Sequence, residues 1–213
     1  MCFSFSERVC YQTTDLGFII DSSDSISSQD FEQQKAFVKA VAQGFRISAE
    51  GTRVGVMSYS SRPFINTVFD QYKNNNKFNE AVDQIRHLQG QKRPGIALRY
   101  AARSLFYYPR SGVPAVAIFI SNNKSSSSDD LESLSTAVQP LHQRGVRVVA
   151  IGVGSSVDEK DLTAVVNRSK DAIFANSYEE LLAQAQKVTM LACSIPHPSE
   201  YRLTFVRILA YMI

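Results

Sequence analysis

Asp21, Ser23 and Ser25 place oxygen-bearing side chains at alternate positions in the segment LGFIIDSSDS, residues 16–25. An apolar run ends at the carboxylate, and hydroxyl groups follow it. Hard divalent cations such as Mg²⁺ prefer oxygen ligands of these kinds and retain several waters. The spacing therefore indicates a cation site. Helix capping by Ser27 or Ser28 is the simpler interpretation of this loop, but it leaves the three alternating residues unexplained.

A nucleotide-binding enzyme is the remote alternative. The segment GVGSSV, residues 152–157, follows a strand-like run and resembles a dinucleotide-binding turn, but Val157 stands where the third glycine belongs. A phosphatase aspartate pair is not formed by Asp21 and Asp24, because Ser23 occupies the place of the second acid. Both patterns are weak, and we expect no enzyme and no catalytic residue.

The three histidines and the overall charge argue against other classes of function. His87, His142 and His197 have no partner at a metal-ligand spacing, and we expect all three at the surface. The 213 residues include 44% hydrophobic and 20% charged residues with a net charge of +3, which is typical of one globular domain. Lysines and arginines are scattered, so nucleic-acid binding is not supported.

Several apolar runs rich in Val, Ile and Phe predict strands. The predicted strands are LGFIID (16–21), TRVGVMSYS (52–60), PFINTVF (63–69), PAVAIFIS (114–121), VRVVAIGVG (146–154) and AIFA (172–175). Between them, helical periodicity predicts helices over 28–45, 77–88, 95–107, 129–144, 158–167 and 178–192, with Asp129 and Glu132 spaced as a capping box.

Alternating strands and helices predict an α/β fold, a doubly wound and mostly parallel six-stranded sheet with helices on both faces. Only a few residues, around 61–63, separate the second strand from the third. Such a gap forms a hairpin and cannot hold a crossover helix, so we expect one antiparallel edge strand near residues 63–69. In a sheet of this kind, ligands bind beyond the carboxyl ends of the strands, where Asp21 lies.

The chain resembles the von Willebrand factor type A domain family, in the style of the matrilin and type VI collagen branch, because the sequence segments typical of that family occur here in the same order. The resemblance rests on LGFIIDSSDSIS, RVGVMSYSS, LQGQKRPGIALRYA, AVAIFISNN and VVAIGVG. It implies an extension over residues 1–12, the domain over 13–192 and a tail over 193–213. It also implies a metal-ion-dependent adhesion site that includes Asp21, Ser23 and Ser25.

Two positions depart from the family motif of that site. Lys92 stands where the family has a threonine, and Asn122 stands where it has an aspartate. The first change adds a positive charge and the second removes a negative one, so we expect a degenerate site with no tightly held cofactor and Mg²⁺ only at low affinity. The Lys92 ammonium is expected about 2.7 to 3.2 Å from the Asp21 carboxylate. A magnesium-dependent adhesion domain remains the alternative.

Cys10 and Cys193 flank the predicted fold and resemble the flanking cysteines of extracellular members of the family. A disulfide between them would imply an oxidising compartment. Two unrelated buried thiols are the alternative, and Cys2 is left over in either case. The sequons at Asn123 and Asn167 are candidate glycosylation sites.

The resemblance implies a secreted, non-enzymatic matrix or adhesion module. Its expected partners are extracellular matrix proteins such as collagens or other adhesion proteins. The basic residues Lys92, Arg93, Arg99 and Arg103 suggest acidic polysaccharide as a further partner. The apolar ending YRLTFVRILAYMI is too short to cross a bilayer, so no membrane span is expected.

Overall fold

The computed structural model describes residues 9–122 and 133–193 and contains a six-stranded sheet. Its strands are β1 (Asp15–Asp21), β2 (Arg53–Tyr59), β3 (Pro63–Thr67), β4 (Ala115–Ser121), β5 (Val146–Val153) and β6 (Ala172–Ala175). The order across the sheet is β3-β2-β1-β4-β5-β6. Every neighbouring pair is parallel except β2 and β3. The predicted α/β class and the antiparallel edge strand are confirmed.

The hairpin between β2 and β3 forms as expected, because the connection from Tyr59 to Pro63 is too short for a helix. The edge strand ends at Thr67, two residues earlier than predicted. A bulge shifts the register of the pairing at Val56 and Met57. The Thr67 hydroxyl then accepts the main-chain N–H of Val56.

Helices cover both faces of the sheet. They are α1 (Ser28–Gln43), α2 (Asn75–Asp83), α3 (Pro94–Arg103), α4 (Leu134–Ala137), α5 (Gln139–Gln143), α6 (Glu159–Thr163), α7 (Tyr178–Ala183) and α8 (Ala185–Cys193), with a 3-10 turn at Ser169–Asp171. Helix α1 begins where Ser27 caps it by accepting the main-chain N–H of Asp30.

The helix lengths predicted from the sequence are wrong in several places. The helix expected over 178–192 is divided at Gln184, whose N–H bonds to Leu181 in a tight i to i−3 turn. The helix expected over 129–144 is divided at Val138, just before Pro140, which has no N–H to continue it. Helices α2, α3 and α6 end four or five residues earlier than predicted. The capping box at residues 129 and 132 lies outside the described residues.

Alternate residues of the strands point to opposite faces and build two cores. In β1, Phe18 and Ile20 join the core shared with α1, α2, α7 and α8. Ile19 joins the core shared with α3 to α6. Strands buried on both faces explain why the central runs are apolar along their whole length.

A disulfide joins Cys10 to Cys193, and their Cα atoms are 5.8 Å apart. The N–H of Cys10 also donates to the carbonyl of Gly44, just after α1. The segment before β1 is thereby attached both to α1 and to the last residue of α8.

Candidate functional site

The loops at the carboxyl ends of β1 and β4 meet where the strand order reverses, which is the usual ligand crevice of a doubly wound sheet. Asp21 is the last residue of β1, and Asn122 directly follows β4. The topology of the sheet thus brings Asp21 and Asn122 to the same crevice.

Asp21 is completely buried and is fixed by its neighbours. Its Oδ1 accepts the main-chain N–H of Ser23 at 3.0 Å. Its main-chain carbonyl accepts Nε2 of Gln34, from the buried face of α1, at 2.9 Å. Its Oδ2 accepts no hydrogen bond within the described part of the chain, and the Lys92 ammonium lies 3.4 Å from it.

The hydroxyl groups of the motif bind to each other and to Asn122. The Oγ atoms of Ser23 and Ser25 are 2.8 Å apart and share a hydrogen bond. Ser25 also donates to Oδ1 of Asn122 at 3.1 Å, and Nδ2 of Asn122 donates to the Ser25 carbonyl at 2.9 Å. The β1 and β4 loops are therefore linked directly through Ser25 and Asn122.

Lys92 lies in the centre of this group, and its side chain is only 6% exposed. Its Nζ donates to Oδ1 of Asn122 at 2.9 Å. The expected hydrogen bond to Asp21 is replaced by an ion pair at 3.4 Å, slightly longer than the expected range. The ammonium therefore bridges the Asp21 carboxylate and the Asn122 amide.

The loop that carries Lys92 is held against the β1 loop by main-chain bonds. The N–H of Leu88 donates to the Ser22 hydroxyl at 2.7 Å, and the N–H of Asp24 donates to the Gly90 carbonyl at 2.9 Å. Gln89 and Gly90 both have positive φ angles, 58° and 94°, which turn the chain sharply. This turn brings Lys92 into the crevice.

Two tyrosines below Asp21 were not found as site residues from the sequence. Burial, and secondarily the negative charge of Asp21, raises the pKa of Tyr59 and that of Tyr178 well above the usual value. Both phenols therefore stay neutral, and the Tyr59 hydroxyl donates to the Ile120 carbonyl at 3.0 Å. Only strand and helix periodicity marks these residues in the sequence, and it predicts core positions.

Gln34 and His87 also contribute to the site unexpectedly. The His87 ring stacks on Phe31 with centroids 4.8 Å apart, and its Nε2 lies 3.2 Å from the Ser23 carbonyl. His87 and His142 are half-buried, so their assignment to the surface was wrong. His197 lies outside the described residues. Gln34 could have been suspected, since it follows Phe31 by one turn on the buried face of α1.

The arrangement does not fit a tightly bound divalent cation. A cation between Asp21 and the two serines would lie close to the Lys92 ammonium and be repelled by it. Asp24 is exposed and adds no carboxylate to the buried group. Within residues 9–122 and 133–193, no cluster of three or more His, Cys, Asp or Glu side chains forms a metal-binding group.

The remote nucleotide-binding interpretation meets a steric objection. A Cβ on Gly152 would lie 2.7 Å from the Val157 side chain and 3.0 Å from that of Leu162. This glycine therefore makes room for the domain's own core. The helix that follows, α6, has Glu159 and Asp161 in its first turn, which disfavours a phosphate there.

The model of the von Willebrand factor type A (VWA) domain matches residues 15–188. The chain belongs to the von Willebrand factor type A domain family. This confirms the resemblance noted in the sequence, including the matrix branch, since the curated relatives of this VWA domain are extracellular matrix proteins.

Three relatives illustrate the similarity. Vitrin from Bos taurus is 28% identical over 188 residues, covering 88% of this chain and 28% of vitrin. The collagen alpha-1(XXI) chain from Homo sapiens is 30% identical, covering 73% of this chain and 16% of the collagen. Matrilin-1 from Gallus gallus is 29% identical, covering 68% of this chain and 29% of matrilin-1. The VWA domain thus spans less than a third of each of these relatives.

Among solved structures, proximal thread matrix protein 1 from the mussel byssus, with a zinc-occupied MIDAS (metal-ion-dependent adhesion site) motif, matches with a TM-score of 0.79 and 24% identity. The match covers 87% of this chain and 47% of that one. It shows the shared fold.

The expected extracellular location is confirmed by these relatives, which are secreted matrix proteins. In the part of the chain that the structure describes, none of the helices has the length and apolar character needed to span a bilayer.

Proposed function

We propose that this VWA domain is a non-enzymatic module of the extracellular matrix that binds other matrix proteins without a tightly held metal. In this proposal the Lys92 ammonium replaces the metal ion as the cation that neutralises Asp21. The degenerate adhesion site is then a structural centre that holds the loops of the crevice together.

The observation that carries the proposal is the position of Lys92 between Asp21 and Asn122. Its ammonium is 3.4 Å from the carboxylate and 2.9 Å from the amide oxygen, and its side chain is almost wholly buried. A buried ammonium that has left water is retained only where an opposite charge and hydrogen-bond acceptors replace its hydration. The site supplies both, so the lysine is stably placed there.

The partner class rests on the relatives. They include two collagen chains, vitrin and matrilin-1, all matrix proteins that carry VWA domains. Collagens and other adhesion proteins of the matrix are therefore the proposed partners. The candidate boundaries 13–192 belong to the same proposal. Asn167 is exposed, and its glycosylation stays a prediction from the sequence. Asn123 lies outside the described residues.

Calorimetric titration with MgCl₂ tests the absence of a tightly held metal. We expect no saturable binding by the unmodified protein below about 1 mM, because the cation must overcome the Lys92 charge at close range. The double variant Lys92→Thr/Asn122→Asp should acquire saturable binding, since it restores a hydroxyl and a carboxylate. Lys187→Thr, at an exposed position of α8, serves as the control and should behave like the parent.

Adhesion to immobilised fibrillar collagen tests the partner class. We expect equal binding in EDTA and in MgCl₂ for the unmodified protein. Submillimolar magnesium affinity, or adhesion abolished by EDTA, would overturn the metal-independent proposal. No adhesion to collagen in either buffer, with the magnesium result as expected, would contradict only the collagen part.

A magnesium-dependent adhesion domain is the second candidate. Its support is that Ser23 and Ser25 keep their hydroxyls 2.8 Å apart beside Asp21 and that a structural neighbour holds zinc at the corresponding motif. Lys92 would have to leave the crevice in that case. The same titration separates the two candidates.

A further inference from the structure

A groove of about 600 Å³ lies at the amino ends of β4 and β5, at the edge of the sheet opposite to Asp21. It is formed by the segment 109–115 before β4, by residues of the α5–β5 turn, and by residues 167 and 168. Its polar side chains include Arg110, Arg144, Arg147, Arg168, His142 and Asn167. None of the described residues that line it is acidic.

One buried carboxylate anchors Arg110 on the β4 side of the groove. Asp15 is completely buried and binds both Arg53 and Arg110. Arg110 donates from Nε at 2.8 Å and from its main-chain N–H at 2.9 Å, while its Nη2 also reaches the carbonyls of Thr14 and Gly51. Arg110 is therefore held at the groove in a fixed orientation.

A second buried carboxylate anchors the arginines on the β5 side. Asp171 is completely buried and binds Arg147 from β5 and Arg168 from the preceding loop. Arg147 is itself buried and also donates to the Leu191 carbonyl at 2.7 Å. Arg168 is 43% exposed, so the positive group and not the carboxylate faces solvent.

The two clusters leave a net positive charge at the groove. Asp171 is shared by Arg147 and Arg168, which both line the groove, so this cluster carries one excess positive charge. Asp15 offsets the charge of Arg110. Arg144, exposed beside them, adds a second positive charge. Burial lowers the pKa of His142, so at neutral pH the charge of the groove comes from the arginines alone.

The basic patch expected from the sequence is less suited to an acidic ligand. Lys92 is directed into the crevice beside Asp21, so it does not contribute to a patch with Arg99 and Arg103. In the groove, by contrast, Arg168 is oriented by Asp171 and is still partly exposed, and Arg144 is exposed beside it. A ligand that binds ordered side chains loses less conformational entropy than one that must immobilise them.

We propose that this groove binds a sulfated polysaccharide. Guanidinium groups pair with sulfate and carboxylate groups through two parallel hydrogen bonds, which favours arginine over lysine at such sites. Added Cβ atoms on Gly112 and Gly145 would meet nothing within 4 Å, so a sugar chain can approach the main chain there. The groove volume is in the usual range for a small ligand or a short segment of a chain.

An acidic peptide fits the groove less well. Its walls are turns that precede strands, so they offer no free strand edge to which an extended peptide could add. A polysaccharide needs no strand edge, because it binds through anionic groups that repeat along its chain. The polysaccharide is therefore the occupant that the charges favour.

The test compares the double variant Arg144→Gln/Arg168→Gln with Arg99→Gln/Arg103→Gln, which makes the same charge change at the patch expected from the sequence. Heparin oligosaccharide is the probe, titrated at several salt concentrations. We expect the groove variant to bind about tenfold more weakly, with a lower salt dependence, and the control to bind like the parent. Arg144→Gln alone, which leaves Asp171 untouched, should show a smaller loss of the same kind.

Several results would overturn the proposal. The first is no binding of heparin by the parent at about 0.15 M salt. The second is an equal loss of heparin affinity in both double variants, and the third is that the parent binds desulfated heparin as tightly as heparin. Tighter binding of poly-glutamate than of heparin would make the groove a peptide site instead. Unchanged thermal unfolding of the variants shows that a loss of affinity comes from the groove and not from the fold.

Discussion

Lys92 and Asp21 form an ion pair in which both side chains have left water. Such a pair gains little over an apolar pair of similar size, but the loss of one partner leaves a buried charge uncompensated. The pair is therefore not a large source of stability, but a change of either residue alone is costly unless the other changes with it.

Replacement of Lys92 by Met tests this dependence. The Lys92→Met variant keeps most of the side-chain volume and removes the ammonium, so the free energy of unfolding should fall by about 3 kcal/mol. Adding Asp21→Asn should restore much of the loss, because no buried charge is then left unpaired. Urea unfolding of the parent, the two single variants and the double variant measures the coupling.

Additive losses in that cycle would contradict the interpretation, since independent residues show no interaction energy. A loss below about 0.5 kcal/mol for Lys92→Met would show that the ammonium stays solvated and contributes nothing to the fold.

Helix α3 and its extension approach the sheet at a pair of glycines. Gly17 of β1 and Gly55 of β2 are neighbours in register. Added Cβ atoms would overlap the side chains that follow α3. A Cβ on Gly17 would lie 2.8 Å from Cε2 of Phe106, and a Cβ on Gly55 would lie 2.6 Å from Cδ1 of Leu105. The absence of side chains on adjacent strands thus makes the space that Leu105 and Phe106 fill.

The Gly17→Ala variant should lower the free energy of unfolding by about 1 to 3 kcal/mol, because the added methyl group overpacks this contact. Phe106→Leu, which shortens the facing side chain, should recover part of the loss. The same Phe106→Leu change should not rescue Gly55→Ala, which meets Leu105 instead. Thermal unfolding of the four variants checks both statements, and equal rescue of the two glycine variants would refute the assigned contacts.

Elements buried on both faces were predictable from the sequence, whereas helix breaks and contacts between residues distant in sequence were not. Strand β1 is apolar from Leu16 to Ile20, a short run that is typical of a strand buried on both faces. The break at Gln184 is accompanied by a main-chain hydrogen bond to Leu181, and the residues around it, 181–187, all favour helix, so their propensities give no sign of a break. In the site, the motif at Asp21 was visible, but the contact of His87 with Ser23 joins residues 64 positions apart and leaves no local pattern.

At the scale of the whole molecule, the disulfide between Cys10 and Cys193 closes a loop of nearly the entire domain, with a sequence separation of 183. The chain-entropy model gives about 5 kcal/mol for such a loop, and measured values are commonly 2 to 4. The Cys10→Ser/Cys193→Ser variant should therefore unfold at lower urea, with a free energy of unfolding about 2 to 4 kcal/mol smaller. Cys2→Ser is the matched control.

A parent protein treated with reductant should resemble the double variant. Should reduction and the double substitution both leave the urea midpoint unchanged, the cross-link would have no role in stability. Loss of stability in Cys2→Ser alone would indicate that the pairing in solution differs from that in the structure.

The same cross-link decides how the domain responds to mechanical tension. Because the Cα atoms of Cys10 and Cys193 are 5.8 Å apart, a pull on the chain outside them passes directly through the covalent bond. The sheet and both binding edges then carry no load. Once reduced, the same 183-residue separation could extend to about 600 Å, so the redox state would determine whether this domain acts as a short rigid link or as an extensible tether.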